Sequence, residues 1–159
     1  MTIVIPKSAV VNCASIAIGP QAVQYKQVLI LGIDPSIRGT GYGIIEDSGN
    51  NPVWVASGTI HLPPRLEQPA ALNEIHSQLN QVITKHRPEL AAIEKIIFVQ
   101  SIRTAITMGS ARGAAMAACG AHGLPVTEYP AKVIKSAATG KGAARKDQVA
   151  FMVRILLEL

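Results

Sequence analysis

An apolar run, Val28-Leu29-Ile30-Leu31-Gly32-Ile33, stops on a carboxylate, Asp34, and turns at once through Pro35-Ser36-Ile37-Arg38-Gly39 into a second strand-like run from Thr40 to Ile45. A carboxylate that closes a buried strand is costly unless it meets a cation or hydrogen-bond donors. The Gly and Pro residues around Asp34 let the backbone turn sharply there and leave room for a phosphate or a metal. The pattern alone fits an Asp-capped hairpin turn equally well.

Turn formers at Asp47-Ser48-Gly49-Asn50-Asn51 follow, and Val53 to Ile60 reads as a third strand, giving a three-strand antiparallel meander. Leu66, Leu72, Ile75, Leu79, Val82 and Ile83 then recur near helical spacing up to Pro88. Leu90 to Ile93 is a short buried strand ending on Glu94, a second carboxylate at a strand's carboxyl end, and adjacent parallel strands would bring it to Asp34. Residues 101 to 122, crowded with Ala and Gly, predict a helix packed closely on a sheet. Pro125 to Tyr129 predicts a fifth strand and residues 131 to 137 a short helix. A flexible basic loop, Gly140-Lys141-Gly142, precedes a last helix with an apolar face of Val149, Met152, Val153 and Leu156.

Its 159 residues, 48% of them hydrophobic, suffice for one compact domain with a real core and not for a second. Residues 1–26 read as an extension outside that core, disordered or from an upstream start, and residues 27–159 as the domain. The net charge of +5 and low aromatic content, 4%, suit attraction to polyanions more than recognition by stacking. Six of the fifteen basic residues (Lys132, Lys135, Lys141, Arg145, Lys146 and Arg154) lie between 132 and the end, against two acids, Asp147 and Glu158. A solvated face is the commoner origin of such a cluster. Cys13 and Cys119 have no CxxC spacing, and the four histidines no paired spacing, so neither a disulfide framework nor a zinc site is indicated. A reducing cytoplasm is the default location. No stretch approaches the ~20 apolar residues that cross a bilayer.

Five ordered motifs carry a resemblance to a known family: Leu31-Gly-Ile-Asp-Pro-Ser-Ile-Arg-Gly-Thr-Gly-Tyr-Gly43, Ala92-Ile-Glu94, Gly109-Ser-Ala-Arg-Gly113, Gly140-Lys-Gly-Ala-Ala-Arg-Lys146, and Gln148-Val with the later Met152-Val-Arg and Leu156-Leu157. From about Val28 to Leu159 the chain resembles the RuvC-type crossover (Holliday) junction endodeoxyribonucleases. That resemblance implies an α/β, ribonuclease-H-like fold: a mixed five-stranded sheet, three antiparallel strands then two parallel, flanked by helices. It also implies a homodimer acting on four-way junction DNA in recombination and repair, with paired symmetric nicks, two Mg2+ ions and a branch-migration motor complex as a further partner.

In the family the metal cluster draws on four acids. Asp34 matches the first and Glu94 the second, and these are the expected catalytic and metal residues. The other pair belongs to a segment beyond the helix matched by Gln148 to Leu157, so the expectation is a domain without its final helix and a chain weakly active or inactive as it stands. Lys146 is expected to steady the scissile group and Lys135 to contact phosphate, with Arg38, Lys141 and Arg145 as further DNA contacts. Arg38 alternatively pairs with Glu46. The family's DNA-engaging aromatic falls at Ile97 here, with Phe98 beside it as the candidate. Two alternatives stand against the junction nuclease: a non-catalytic junction-binding protein, and a related small ribonuclease-H-like nuclease acting on ribosomal RNA.

Overall fold

A computed structural model describes residues 26–49, 52–96 and 101–159. Apart from Lys26, the predicted extension lies outside the described residues, as do Ile97 and Phe98. Three strands open the chain: β1 (Val28–Asp34), β2 (Gly39–Asp47) and β3 (Val53–His61). Helix α1 (Gln68–His86), β4 (Leu90–Lys95), α2 (Ile102–Ala121), β5 (Val126–Pro130), α3 (Ala131–Thr139) and α4 (Lys146–Leu156) follow. The sheet order is β3-β2-β1-β4-β5, with β2 antiparallel to β1 and β3, and β4 parallel to β1 and β5. This is the predicted mixed sheet.

Alternation along the strands divides the sheet into two faces. Leu31 and Ile33 of β1, Ile44 of β2, Ile60 of β3, and Ala91 and Ile93 of β4 are buried in one cluster with Ala71, Ile75, Leu79 and Ile83 of α1 and Ala111, Ala115, Ala118 and Cys119 of α2. The α1 residues recur at helical spacing, which is why that periodicity was readable. The small residues of α2 let its backbone lie close to α1, whereas its approach to the sheet is looser than their crowding implied. Cys119 is buried in this cluster, and burial pushes its thiol up to about 11. The alternate residues of β1 and β4, Ile30-x-x-x-Asp34 and Leu90-x-x-x-Glu94, point to the other face.

Boundaries follow local chemistry. Leu66 falls in the turn before α1, its N–H bonding to the Pro63 carbonyl at 3.0 Å, because Pro69 is suited to a helix's first turn and starts it at Gln68. Arg87, left-handed with φ 51°, ends α1 directly before Pro88. Ser101 caps α2 by accepting from the Thr104 N–H at 3.1 Å. Gly140, with φ 74°, ends α3 two residues later than the sequence predicts and bonds back to the Ser136 carbonyl at 2.8 Å.

A smaller cluster of Ala138, Ala144 and Val149 joins α3 to α4, with Val153 packed against it. The apolar face predicted for α4 is shorter than expected: Leu156 is exposed, as are Phe151 and Ile155, because packing on α3 extends along the helix only as far as Val153.

Leu79 is fully buried between α1 and the sheet. Leu79→Ala is therefore expected to cost about 2–5 kcal/mol, read as a lower urea midpoint at unchanged slope.

Candidate active site

Two carboxylates meet because of strand register. The parallel pairing of β1 with β4 ends at Ile33↔Ile93, so the next residues, Asp34 and Glu94, are neighbours on adjacent strands and share a face. Neighbouring strands lie about 4.8 Å apart. Both side chains are half-buried and line a cleft of about 290 Å³ with Pro35, Ile96, Met108 and Lys132.

The turn after Asp34 is held from both sides. Buried Thr40 donates through Oγ1 to the Ser36 carbonyl at 2.7 Å and accepts from the Ser36 N–H at 3.2 Å. Arg38 donates through Nη1 to the carbonyls of Pro63 and Leu66, at 2.7 and 3.0 Å, and is not paired with Glu46. The structure thus uses Arg38 to tie the turn to the β3–α1 connection.

Burial raises the pKa of Asp34, opposed by the Lys146 ammonium. Burial raises Glu94 as well, the negative charge of Asp34 adds to the rise, and Lys135 and Lys146 oppose it. Lys146 therefore acts on both carboxylates and Lys135 on one. These two lysines come from different helices, α4 and α3, and converge on the same pair.

Other predicted residues lie elsewhere. Lys141 is exposed, its N–H bonded to Thr139 Oγ1 at 3.1 Å, and it lines a separate cleft of about 440 Å³ with Asp147 and Phe151. Arg145 precedes α4 and donates to the Asp147 carboxylate at 3.0 Å. Glu158 is exposed in the turn after α4. Lys132 is a cleft residue that sequence reasoning placed only in the general basic cluster. Its signal was position: it follows the end of β5 by two residues and precedes Lys135 by three, which on a helix is the same side. Gly142 packs against it so closely that a Cβ there would lie 2.5 Å from Lys132 Cγ and 3.1 Å from its carbonyl oxygen.

Two oxygen-donor carboxylates, partly removed from water and repelling each other, suit a hard divalent cation, which removes the repulsion by binding both. Among the described residues no group of three or more His, Cys, Asp or Glu side chains is assembled to hold a metal. Asp34 and Glu94 would hold such an ion, with water or phosphate oxygens completing its shell.

A mixed sheet of this order, with acids closing its first and fourth strands, defines the ribonuclease-H-like class. The family model described as crossover junction endodeoxyribonuclease RuvC matches residues 30–159. The RuvC enzyme of Alkalilimnicola ehrlichii is 46% identical over 82% of this chain and 78% of its own length, and that of Geobacter sulfurreducens 45% identical over 82% and 79%. Thermus thermophilus RuvC, solved in complex with a Holliday junction substrate, superposes with a TM-score of 0.78 at 31% identity over 83% of this chain and 81% of that one. The yeast mitochondrial Holliday junction resolvase Ydc2 shares the fold, with a TM-score of 0.61 at 11% identity. The chain belongs to the RuvC family of crossover junction endodeoxyribonucleases, hydrolytic nucleases that cut phosphodiester bonds. These matches support neither the expectation of a weak or inactive chain nor the two alternative functions.

The raised carboxylates give a pH signature. Their protonated forms are favoured in the folded state, so their stabilising share is complete at low pH and is lost as pH rises through the raised values. In metal-free protein Asp34→Asn is expected to raise the melting temperature at neutral pH and flatten its decline across that window. Adding a divalent cation is expected to raise the melting temperature of the wild type and not of the variant. Differential scanning calorimetry with and without the cation checks both.

Proposed function

We propose that the chain resolves four-way DNA junctions by paired symmetric nicks, with Asp34 and Glu94 holding Mg2+ against the scissile phosphate. The juxtaposition of these carboxylates, with Lys146 acting on both, carries the reading. The Holliday junction bound by the Thermus relative supports the substrate, and the net charge of +5 supports a polyanion.

Bound magnesium supplies an activated water near neutral pH and charge stabilisation at the leaving oxygen. The protein's own part is positional and electrostatic. Asp34 and Glu94 present oxygens from rigid strand ends, so the distance between them is fixed before DNA arrives. Lys146 opposes the rise that burial imposes on both carboxylates and places a point charge where a phosphate must sit. Lys132 and Lys135 extend that positive field along α3, toward phosphates flanking the cut. Pro35, Ile96 and Met108 wall the cleft with apolar surface and limit water at its floor.

Two opposed nicks need two sites, and each chain carries one such carboxylate pair, so the working unit is a homodimer. Recombination and repair are the corresponding processes, and a branch-migration motor that moves the junction is the matching partner. No helix among the described residues is long and apolar enough to cross a membrane, and we assign the protein to the cytoplasm, where chromosomal junctions arise.

Incubating the protein with a labelled four-way junction and a linear duplex, with and without Mg2+, tests the reading. Symmetric nicks in the junction alone, dependent on the cation, are expected, whereas retention without nicks or equal cutting of the duplex overturns it. Asp34→Asn and Lys146→Ala are each expected to lower single-turnover cleavage by about 100-fold or more. Junction affinity is expected to fall steeply as salt is raised.

A further inference from the structure

The motif Gly109-Ser-Ala-Arg-Gly113 takes no part in the cleft, yet its arginine makes a two-point ion pair. Arg112 Nε donates to Glu128 Oε1 and Nη2 to Oε2, each at 2.6 Å, with both side chains more than half withdrawn from solvent. The pair joins α2 to β5. Glu128 also feels Lys95, and Arg112 holds its carboxyl below the ordinary range.

Both partners sit where other restraints are weak. The buried side of α2 around Arg112 is built from Ala111, Ala115 and Ala118, which allow close approach but interlock little with the sheet. Among the described residues β5 is a five-residue edge strand whose ladder runs to β4 alone. A bidentate fork fixes both direction and rotation, which a set of methyl contacts does not.

The strand so held is next to the chemistry. In the β4–β5 register Ile93 faces Glu128 and Glu94 faces Tyr129. The strand ends at Pro130, α3 begins at Ala131 without a connecting loop, and Lys132 and Lys135 follow in its first two turns. Any slide or rotation of β5 is therefore transmitted to Lys135 and to the distance between its ammonium and Glu94.

We propose that the Arg112–Glu128 fork sets the position of β5 and the root of α3 against the carboxylate pair, making Arg112 and Glu128 positioning residues that act on cleavage through Lys135. The proposal rests on the nuclease reading for its consequence and on the strand geometry for its mechanism. Substituting lysine for Arg112 keeps the charge and loses the fork, so Arg112→Lys is expected to behave like Arg112→Gln.

The test combines amide hydrogen exchange, measured without DNA or cation, with single-turnover cleavage of a four-way junction. In Arg112→Gln, amides from 126 to 135 are expected to exchange about tenfold faster while β1 and β2 are unchanged. Its cleavage rate is expected to fall about tenfold with junction affinity within about twofold, and not to fall further when Arg112→Gln is added to Lys135→Ala. The exchanged pair R112E/E128R is expected to return the rate to within about threefold of wild type. Unchanged exchange in a folded Arg112→Gln protein, or a full additive loss on top of Lys135→Ala, overturns the proposal. If Arg112→Gln does not fold, the exchanged pair decides: a folded protein as slow as Lys135→Ala overturns it. A wild type that does not cut the junction, with the exchange difference present, refutes the nuclease reading and leaves the positional role of the fork standing.

Discussion

Repulsion between Asp34 and Glu94 is the constraint around which the domain is organised. A parallel ladder offers no freedom to separate them: once Ile33 pairs with Ile93, the next two side chains are neighbours on the same face. Their burial makes the charged state expensive, and the nearby lysines offset only part of that cost. The hydrophobic cluster on the other face, from Leu31 and Ile33 to Leu79 and Cys119, supplies the stability that lets such a pair persist. The protein thus holds a pre-formed demand for positive charge at the rim of an otherwise apolar sheet, and metal and DNA phosphate chemistry are two ways of meeting it.

Much of this was legible in the amino-acid letters, for identifiable reasons. Val28 to Ile33 and Leu90 to Ile93 are apolar runs too short for helices, and the acids that end them stood out because burial makes them costly. The periodicity of Ile75, Leu79 and Ile83 gave α1, and the turn formers between β2 and β3 gave the meander. Leu66 and Leu156 misled because hydrophobicity alone does not say where packing stops: Pro69 moves the first out of α1, and a short contact with α3 leaves the second exposed. Arg38 was ambiguous between DNA and Glu46, and neither local pattern nor charge foretold that it would bind two carbonyls in a connection 25 and 28 residues away. Lys132 was hidden among other lysines, since only the absence of a loop between β5 and α3 brings it to the cleft. The pairing of Arg112 with Glu128 depends on how α2 lies on the sheet, which no spacing rule encodes.

Acidic and basic groups reach the cleft by different structural routes. The acids come from strands whose neighbours on both sides fix them. The bases come from α3, rooted at the β5 edge, and from α4, which packs on α3 and faces β2 and β3 across a cleft; a loop that turns at Gly140 and presses Gly142 against Lys132 joins them. The division has a chemical logic. Ligand distances for a small dication tolerate little error, whereas an ammonium on a four-carbon stem acts over a wider range of positions.

The cluster joining α3 to α4 is built from two alanines and a valine, with Val153 beside it. So little apolar surface gives the two helices a shallow energy well, far shallower than the one holding α1 and α2 to the sheet. Lys132 is near the root at β5, and Lys146 lies beyond the loop on the more lightly packed, more yielding part. A bent polyanion with an irregular phosphate spacing can be accommodated by that yielding part, at small elastic cost, without disturbing the geometry of the acids.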